Sequence, residues 1–230
     1  MTLDGVELTV CDDAEQVASA VADELVAAAR SGAAIALTGG RSVGRAYELA
    51  AEREPDWSTA SVWWGDERCV PPEDERSNYR LARETLLERL EAIPREVQRI
   101  NGELGPEEAA QEYDELLRGV SLELVLLGIG PDGHTASLFP NQPTLDERER
   151  RAIPAEATLE PFVDRVTLTL PVLCSAPKVV FVVSGDEKAE AVERAFSRPP
   201  DPSTPASLVR STAGDTRLVA DTAAAARLSR

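Results

Sequence analysis

Three stretches of this chain are apolar almost without interruption and too short to be ordinary helices. They are AAIALT (33–38), LELVLLGIG (122–130) and KVVFVVSG (178–185). A strand with one wet face alternates apolar and polar residues. A strand apolar at nearly every position is buried on both faces, as in a parallel sheet covered by helices. Helical spacing fills the gaps. Residues 12–30 put Val17, Val21, Leu25 and Val26 on one face, and further helices are expected at 43–52, 77–90, 106–118 and 186–196. Ser77 is a candidate N-cap for the third of these. Strands are also expected at 7–10, 61–67 and 165–170, the last alternating with period two. This β-α-β-α series predicts an α/β fold with a mostly parallel sheet and helices packed on it.

The 230 residues suit one domain, 1–230, with no internal repeat. The Pro-rich stretch 198–207 reads as a loop, and the irregular, charged segment 139–162 as a lid or an excursion. With 41 acidic and 24 basic residues the formal net charge is −17. Such a field repels nucleic acid and anionic lipid, so neither is an expected partner. No apolar run approaches the ~18 residues of a membrane span, and the N-terminal MTLDGVELTV lacks the basic start of a signal peptide. Cys11, Cys69 and Cys174 are odd in number and far apart, which predicts no disulfide framework and no zinc site. A cytoplasmic protein is expected. An anionic ligand would need a locally basic pocket, built mostly from arginine because Lys178 and Lys188 are the only lysines.

Ligands of open α/β sheets bind beyond the carboxyl ends of the strands, and four segments place unusual residues there. TGGRS (38–42) follows a buried strand and opens a helix, a geometry that presents backbone N–H groups to an anion, although a tight turn alone would use the same glycines. GDERCVP (65–71) ends a strand in three consecutive charges, which a surface turn would also explain. GIGPDGHTASLFP (128–140) carries His134, the only histidine, in a glycine-rich loop after the most apolar strand; that setting favours acid–base work over a solvated or structural role. SGDEK (184–188) sets Lys188 in the first turn of a helix, against the helix dipole, which a bound phosphate would explain. No Walker motif is present. Gly128, Gly130 and Gly133 spell GxGxxG, but the Pro131–His134 turn and the missing acidic partner argue against a dinucleotide.

Taken together these segments resemble the 6-phosphogluconolactonase family, within the wider glucosamine-6-phosphate isomerase/deaminase superfamily. The resemblance is carried by LLGIGPDGHTASLFP (126–140), by Asp66-Glu67-Arg68-Cys69-Val70-Pro71 with Ser77-Asn78-Tyr79, by Arg165-Val166-Thr167-Leu168-Thr169, and by Gly185 with Lys188. It departs from the family at Arg41-Ser42-Val43, where a small hydroxyl residue and Thr-Pro are usual, and at Arg76 and Cys174. The resemblance implies a modified doubly wound α/β domain, a monomer or small homo-oligomer. It also implies hydrolysis of 6-phosphoglucono-1,5-lactone, a small sugar-phosphate lactone, without metal or other cofactor. His134 is then the general base, with Asp66 or Asp132 orienting its ring and Arg68 contacting the substrate. Gly39, Gly40, Arg41, Ser42, Gly130, Arg165 and Lys188 are the substrate-binding candidates, most of them for the phosphate. A deaminase of the same superfamily would carry a glutamate where this chain has Phe139. A sugar-phosphate sensor fused to a DNA-binding module would need a helix-turn-helix for which the chain has no room.

Overall fold

The three uninterrupted apolar runs lie side by side at the centre of one sheet. The computed structural model describes residues 2–3, 5–40, 42–158 and 160–228. In chain order the elements are β1 Thr2–Leu3, β2 Val6–Cys11, α1 Ala14–Ser31, β3 Ala34–Leu37, α2 Gly44–Arg53, β4 Ser61–Trp64, β5 Asp66–Arg68, α3 Asn78–Thr85, β6 Glu96–Val97 and α4 Pro106–Leu116. Then follow β7 Leu124–Leu127, β8 Ala152–Ala155, β9 Arg165–Leu168, α5 Leu170–Ser175, β10 Lys178–Val183, α6 Ala189–Phe196 and β11 Asp215–Asp221. The main sheet has the order β1-β2-β11-β10-β7-β3-β4-β6 and is parallel except for β1 against β2.

From the central pair β3 and β7 the chain winds outward in opposite directions, to β4 and β6 on one side and to β10 and β11 on the other. Right-handed crossovers then lay the helices of the two windings on opposite faces. Every residue of β3, β4 and β7 is buried, as two covered faces require. The fold is therefore the expected mostly parallel, doubly wound α/β type. Its topological switch point is the crevice at the carboxyl ends of β3 and β7, where such sheets bind ligands.

Two buried tyrosines hold the chain where it leaves the sheet. The Tyr47 hydroxyl donates to the Thr38 carbonyl at 2.7 Å and accepts the Thr38 N–H at 3.0 Å. The Tyr113 hydroxyl does the same for Trp64, accepting its N–H at 2.8 Å and donating to its carbonyl at 3.1 Å. A buried backbone group without a partner is costly, and these hydroxyls supply partners just past the end of β3 and at the last residue of β4. Burial pushes both phenols well above their ordinary range. The 12–30 helix forms as α1: the Asp13 carboxylate caps it by accepting the Gln16 N–H at 2.9 Å, and Gly32 closes it in the left-handed region.

Two strand expectations change, and the excursion gains a strand. The 61–67 strand breaks at Gly65, where β4 ends and β5 turns into a second, antiparallel sheet of order β5-β9-β8. The 165–170 segment joins that small sheet as β9 rather than the main one. The 139–162 excursion supplies its third strand, β8, beyond a helical turn at Pro143–Asp146. β11 was hidden because charges at Asp215, Arg217 and Asp221 interrupt its apolar run; Arg217 is met by Glu7 at 2.9 Å and by Glu24. Among the described residues no helix is long and apolar enough to cross a membrane.

Candidate active site

A cleft of about 180 Å³ opens at the switch point. Thr38, Gly39 and Gly40 come from the end of β3, and Gly128 through Pro131, His134 and Ala136 from the end of β7. Asp66, Arg68 and Arg165 come from the small sheet, Asn78 from the start of α3 and Lys188 from the start of α6. A groove of about 670 Å³ elsewhere is larger, lined by Leu145, Leu170 and Cys174 among others, but it gathers no comparable set of reactive groups.

The β7 loop folds tightly on itself. Gly130 N–H donates to the His134 carbonyl at 2.9 Å, and Gly133 N–H to the Gly130 carbonyl at 2.9 Å. The Asp132 carboxylate then reaches Nδ1 of His134 at 2.6 Å and accepts the backbone N–H of the same residue at 3.1 Å. A Cβ at Gly130 would lie 2.0 Å from His134 Nδ1 and 2.6 Å from the Asp132 carboxylate, so the pair needs glycine there. Burial pushes the Asp132 carboxyl up, but the hydrogen bond and charge of His134 outweigh it and hold it below the usual range. With Nδ1–H donating to a carboxylate, Nε2 is left as the basic nitrogen of the neutral ring.

Of the two carboxylates considered for orienting His134, only Asp132 is within hydrogen-bonding distance. Asp66 has other partners. Its Oδ2 accepts from the Ser137 hydroxyl at 2.6 Å and its Oδ1 from the Asn78 amide at 3.1 Å. Ser137 N–H in turn donates to Thr167 Oγ1 at 3.1 Å. Asp66 thus ties the β7 loop to α3, and is 5% exposed. Neighbouring Glu67 does something different again. It is buried at the N-terminus of α3 and accepts from Arg68 N–H, Asn78 N–H and Tyr79 N–H, each at 2.7 Å, and from the Ser77 hydroxyl at 3.0 Å. Burial raises its carboxyl, while these donors and the helix N-terminus hold the negative charge.

Arg68 and Arg165 are directly opposed across β5 and β9. Like charges in that position repel. Among the described residues neither has a carboxylate within ion-pair distance: Arg68 Nη1 donates to the Arg76 carbonyl, and Arg165 Nη2 to the Pro161 carbonyl at 3.4 Å. The Nε of each is buried without a protein partner. Burial lowers the Arg165 guanidinium from its ordinary value, aided by Arg68 and opposed by Asp66 and Glu67. Two guanidiniums held together against their own repulsion make a site for an anion.

Lys188 is the residue from which α6 begins, and its loop is anchored by the Gly185 N–H on the Asp221 carboxylate at 3.0 Å. Gly39 packs so closely on Asn78 that a Cβ would lie 1.8 Å from the amide oxygen, which leaves the loop's backbone exposed to the cleft. Ser42 is not among the cleft's lining residues, and Arg41 lies outside the described residues. Sequence reasoning did not find Ser137, Asp221 or the buried Phe139 ring as parts of the site; only contacts between distant segments reveal the first two. No group of three His, Cys, Asp or Glu placed to hold a metal occurs among the described residues.

The sequence matches the family described as glucosamine-6-phosphate isomerases/6-phosphogluconolactonase over residues 11–218. It is 41% identical to the human 6-phosphogluconolactonase, with 89% of this chain and 84% of that protein covered. It is 35% identical to the 6-phosphogluconolactonase of Streptomyces coelicolor, over 97% and 95% of the two chains. The fold superimposes on a 6-phosphogluconolactonase from Trypanosoma brucei with a TM-score of 0.88, at 24% identity and covering 99% and 100% of the chains. The chain belongs to the family of glucosamine-6-phosphate isomerases and 6-phosphogluconolactonases.

Proposed function

We propose that the chain hydrolyses 6-phosphoglucono-1,5-lactone to 6-phosphogluconate, with His134 as the base that activates water. The observation that carries this reading is the His134–Asp132 pair, 2.6 Å apart, in a cleft shared with Arg68, Arg165 and Lys188. Ester hydrolysis needs one group to move one proton twice. Nε2 of His134 takes a proton from water as the oxygen attacks the lactone carbonyl. The imidazolium, held by Asp132, then returns that proton to the ring oxygen as the carbon–oxygen bond breaks. The cationic side chains and the Gly39–Gly40 backbone hold the phosphate and place the carbonyl.

An isomerising deaminase needs further proton-transfer groups around the sugar. Here the residue packed on His134 is Phe139, which does not ionise, and Asp66 is engaged by Ser137 and Asn78. The close kinship to proteins named 6-phosphogluconolactonase supports the same reading. The test is turnover of freshly made 6-phosphogluconolactone with spontaneous hydrolysis subtracted, beside glucosamine 6-phosphate. Rapid hydrolysis of the lactone and none of the amine is expected; the opposite pattern overturns the proposal.

A further inference from the structure

Phe139 is 1% exposed, yet it touches two working groups of the cleft. Its ring centroid is 5.0 Å from that of His134, the planes inclined at 45°. The guanidinium carbon of Arg165 lies 5.5 Å from the same centroid. The local chain explains the approach. Leu138 N–H donates to the Thr135 carbonyl at 3.0 Å, Ala136 adopts a positive φ of 48°, and the turn returns Phe139 onto the histidine.

We propose that Phe139 is a positioning residue whose π system stabilises the protonated form of His134 and holds Arg165 beside it without neutralising it. The inference rests on the reading of His134 as the base. The charged groups around that histidine explain why a ring serves here. Asp132 faces it from its own loop, Asp66 and Arg68 from β5, Arg165 from β9, and Lys188 from the start of α6. Arg194 of α6, paired with Glu190, reaches the loop at the Pro131 carbonyl, 3.2 Å away. Arg68, Arg165 and Lys188 attract the phosphate, but they also oppose the imidazolium that forms when His134 takes its proton. A carboxylate in place of Phe139 would relieve that opposition and would also capture Arg165, removing it from the phosphate. An aromatic ring attracts both cations through its quadrupole and carries no net charge. Its rigid, buried face also fixes the rotamers of the groups that pack on it.

Because His134 is the only histidine, its imidazole C–H resonances report its titration directly by NMR, with no substrate present. The experiment follows that titration in the native protein, in Phe139→Leu, and in proteins carrying 4-fluoro- or 3,4,5-trifluorophenylalanine at position 139. Fluorine drains the ring's quadrupole at nearly constant shape, so these proteins test the π contribution even if the leucine variant folds poorly. The expected result is a midpoint that moves to lower pH as fluorine is added. Phe139→Leu should move it by about half a pH unit or more, the size of a partly exposed cation–π contact. A midpoint unchanged across the fluorinated series would overturn the proposal and reduce Phe139 to packing. The readout needs no turnover, so loss of the lactonase reading and loss of this one are distinguishable. With the lactone, the fluorinated proteins should also lose up to about threefold in kcat, as a weaker base implies.

Discussion

Asp132 and His134 are joined twice, once through the ring and once through the backbone. The carboxylate takes Nδ1–H at 2.6 Å and the His134 amide at 3.1 Å, so the ring's position and its tautomer are set by one side chain. Asp132→Asn keeps the shape but can present an N–H to Nδ1, favouring the wrong tautomer. It should lower kcat by about a hundredfold or more while KM changes little. The pH dependence has a definite sign. The Asp132 carboxyl is depressed in the folded protein, so the stability it contributes is present above its unfolded pKa and is lost only as pH falls through the lower folded value. Carbon-13 NMR of the Asp132 carboxyl should therefore show a midpoint below that of an ordinary aspartate. A midpoint at or above the ordinary value would place Asp132 outside the pair.

Lys188 should act on the phosphate rather than on the ring of the substrate. Lys188→Ala should raise KM for the phosphorylated lactone by about ten- to a hundredfold, the loss of one charge-assisted contact. The slow hydrolysis of unphosphorylated gluconolactone should scarcely change. Steady-state kinetics on both substrates decides it, and an equal loss on both would assign Lys188 to the fold or the lactone ring.

The Ser137 hydroxyl meets a carboxylate that is almost fully buried. Ser137→Ala leaves Asp66 Oδ2 without that donor and should reduce unfolding free energy by about 1–3 kcal/mol. Urea unfolding measures it. An unchanged stability would mean that the hydroxyl is replaceable by water in the cleft.

Gly130 is required by contact rather than by backbone angle. Gly130→Ala puts a carbon 2.0 Å from His134 Nδ1, so the ring or Asp132 must move. The variant should fold and bind product yet lose about a hundredfold or more in kcat, since misplacement by an ångström has that effect. Product binding by calorimetry beside kcat separates this from general unfolding.

The main sheet was legible because β3, β7 and β10 are apolar throughout, and a run of that kind has one common explanation. β11 was not, since charges at Asp215, Arg217 and Asp221 break its apolar run, and the Arg217 charge is met by Glu7 and Glu24, partners that are distant in sequence. The glycine loops and His134 were visible because unusual residues follow buried strands. The choice between Asp66 and Asp132 was not visible. Both are acidic residues at strand ends, and only the turn that places Gly130 on His134 separates them. The pairing of Arg68 with Arg165 is also invisible in one dimension, because it depends on the chain switching sheets at Gly65.

The most direct test of the account is hydrolysis of freshly prepared 6-phosphogluconolactone by the native protein and by His134→Gln, each corrected for the uncatalysed rate. Glutamine keeps polarity and approximate size but cannot take the proton from water. The account predicts rapid turnover by the native protein and a loss in kcat of about 10²–10⁴-fold in the variant, with the phosphorylated product still bound. A variant retaining more than about a tenth of native kcat would contradict the role given to His134.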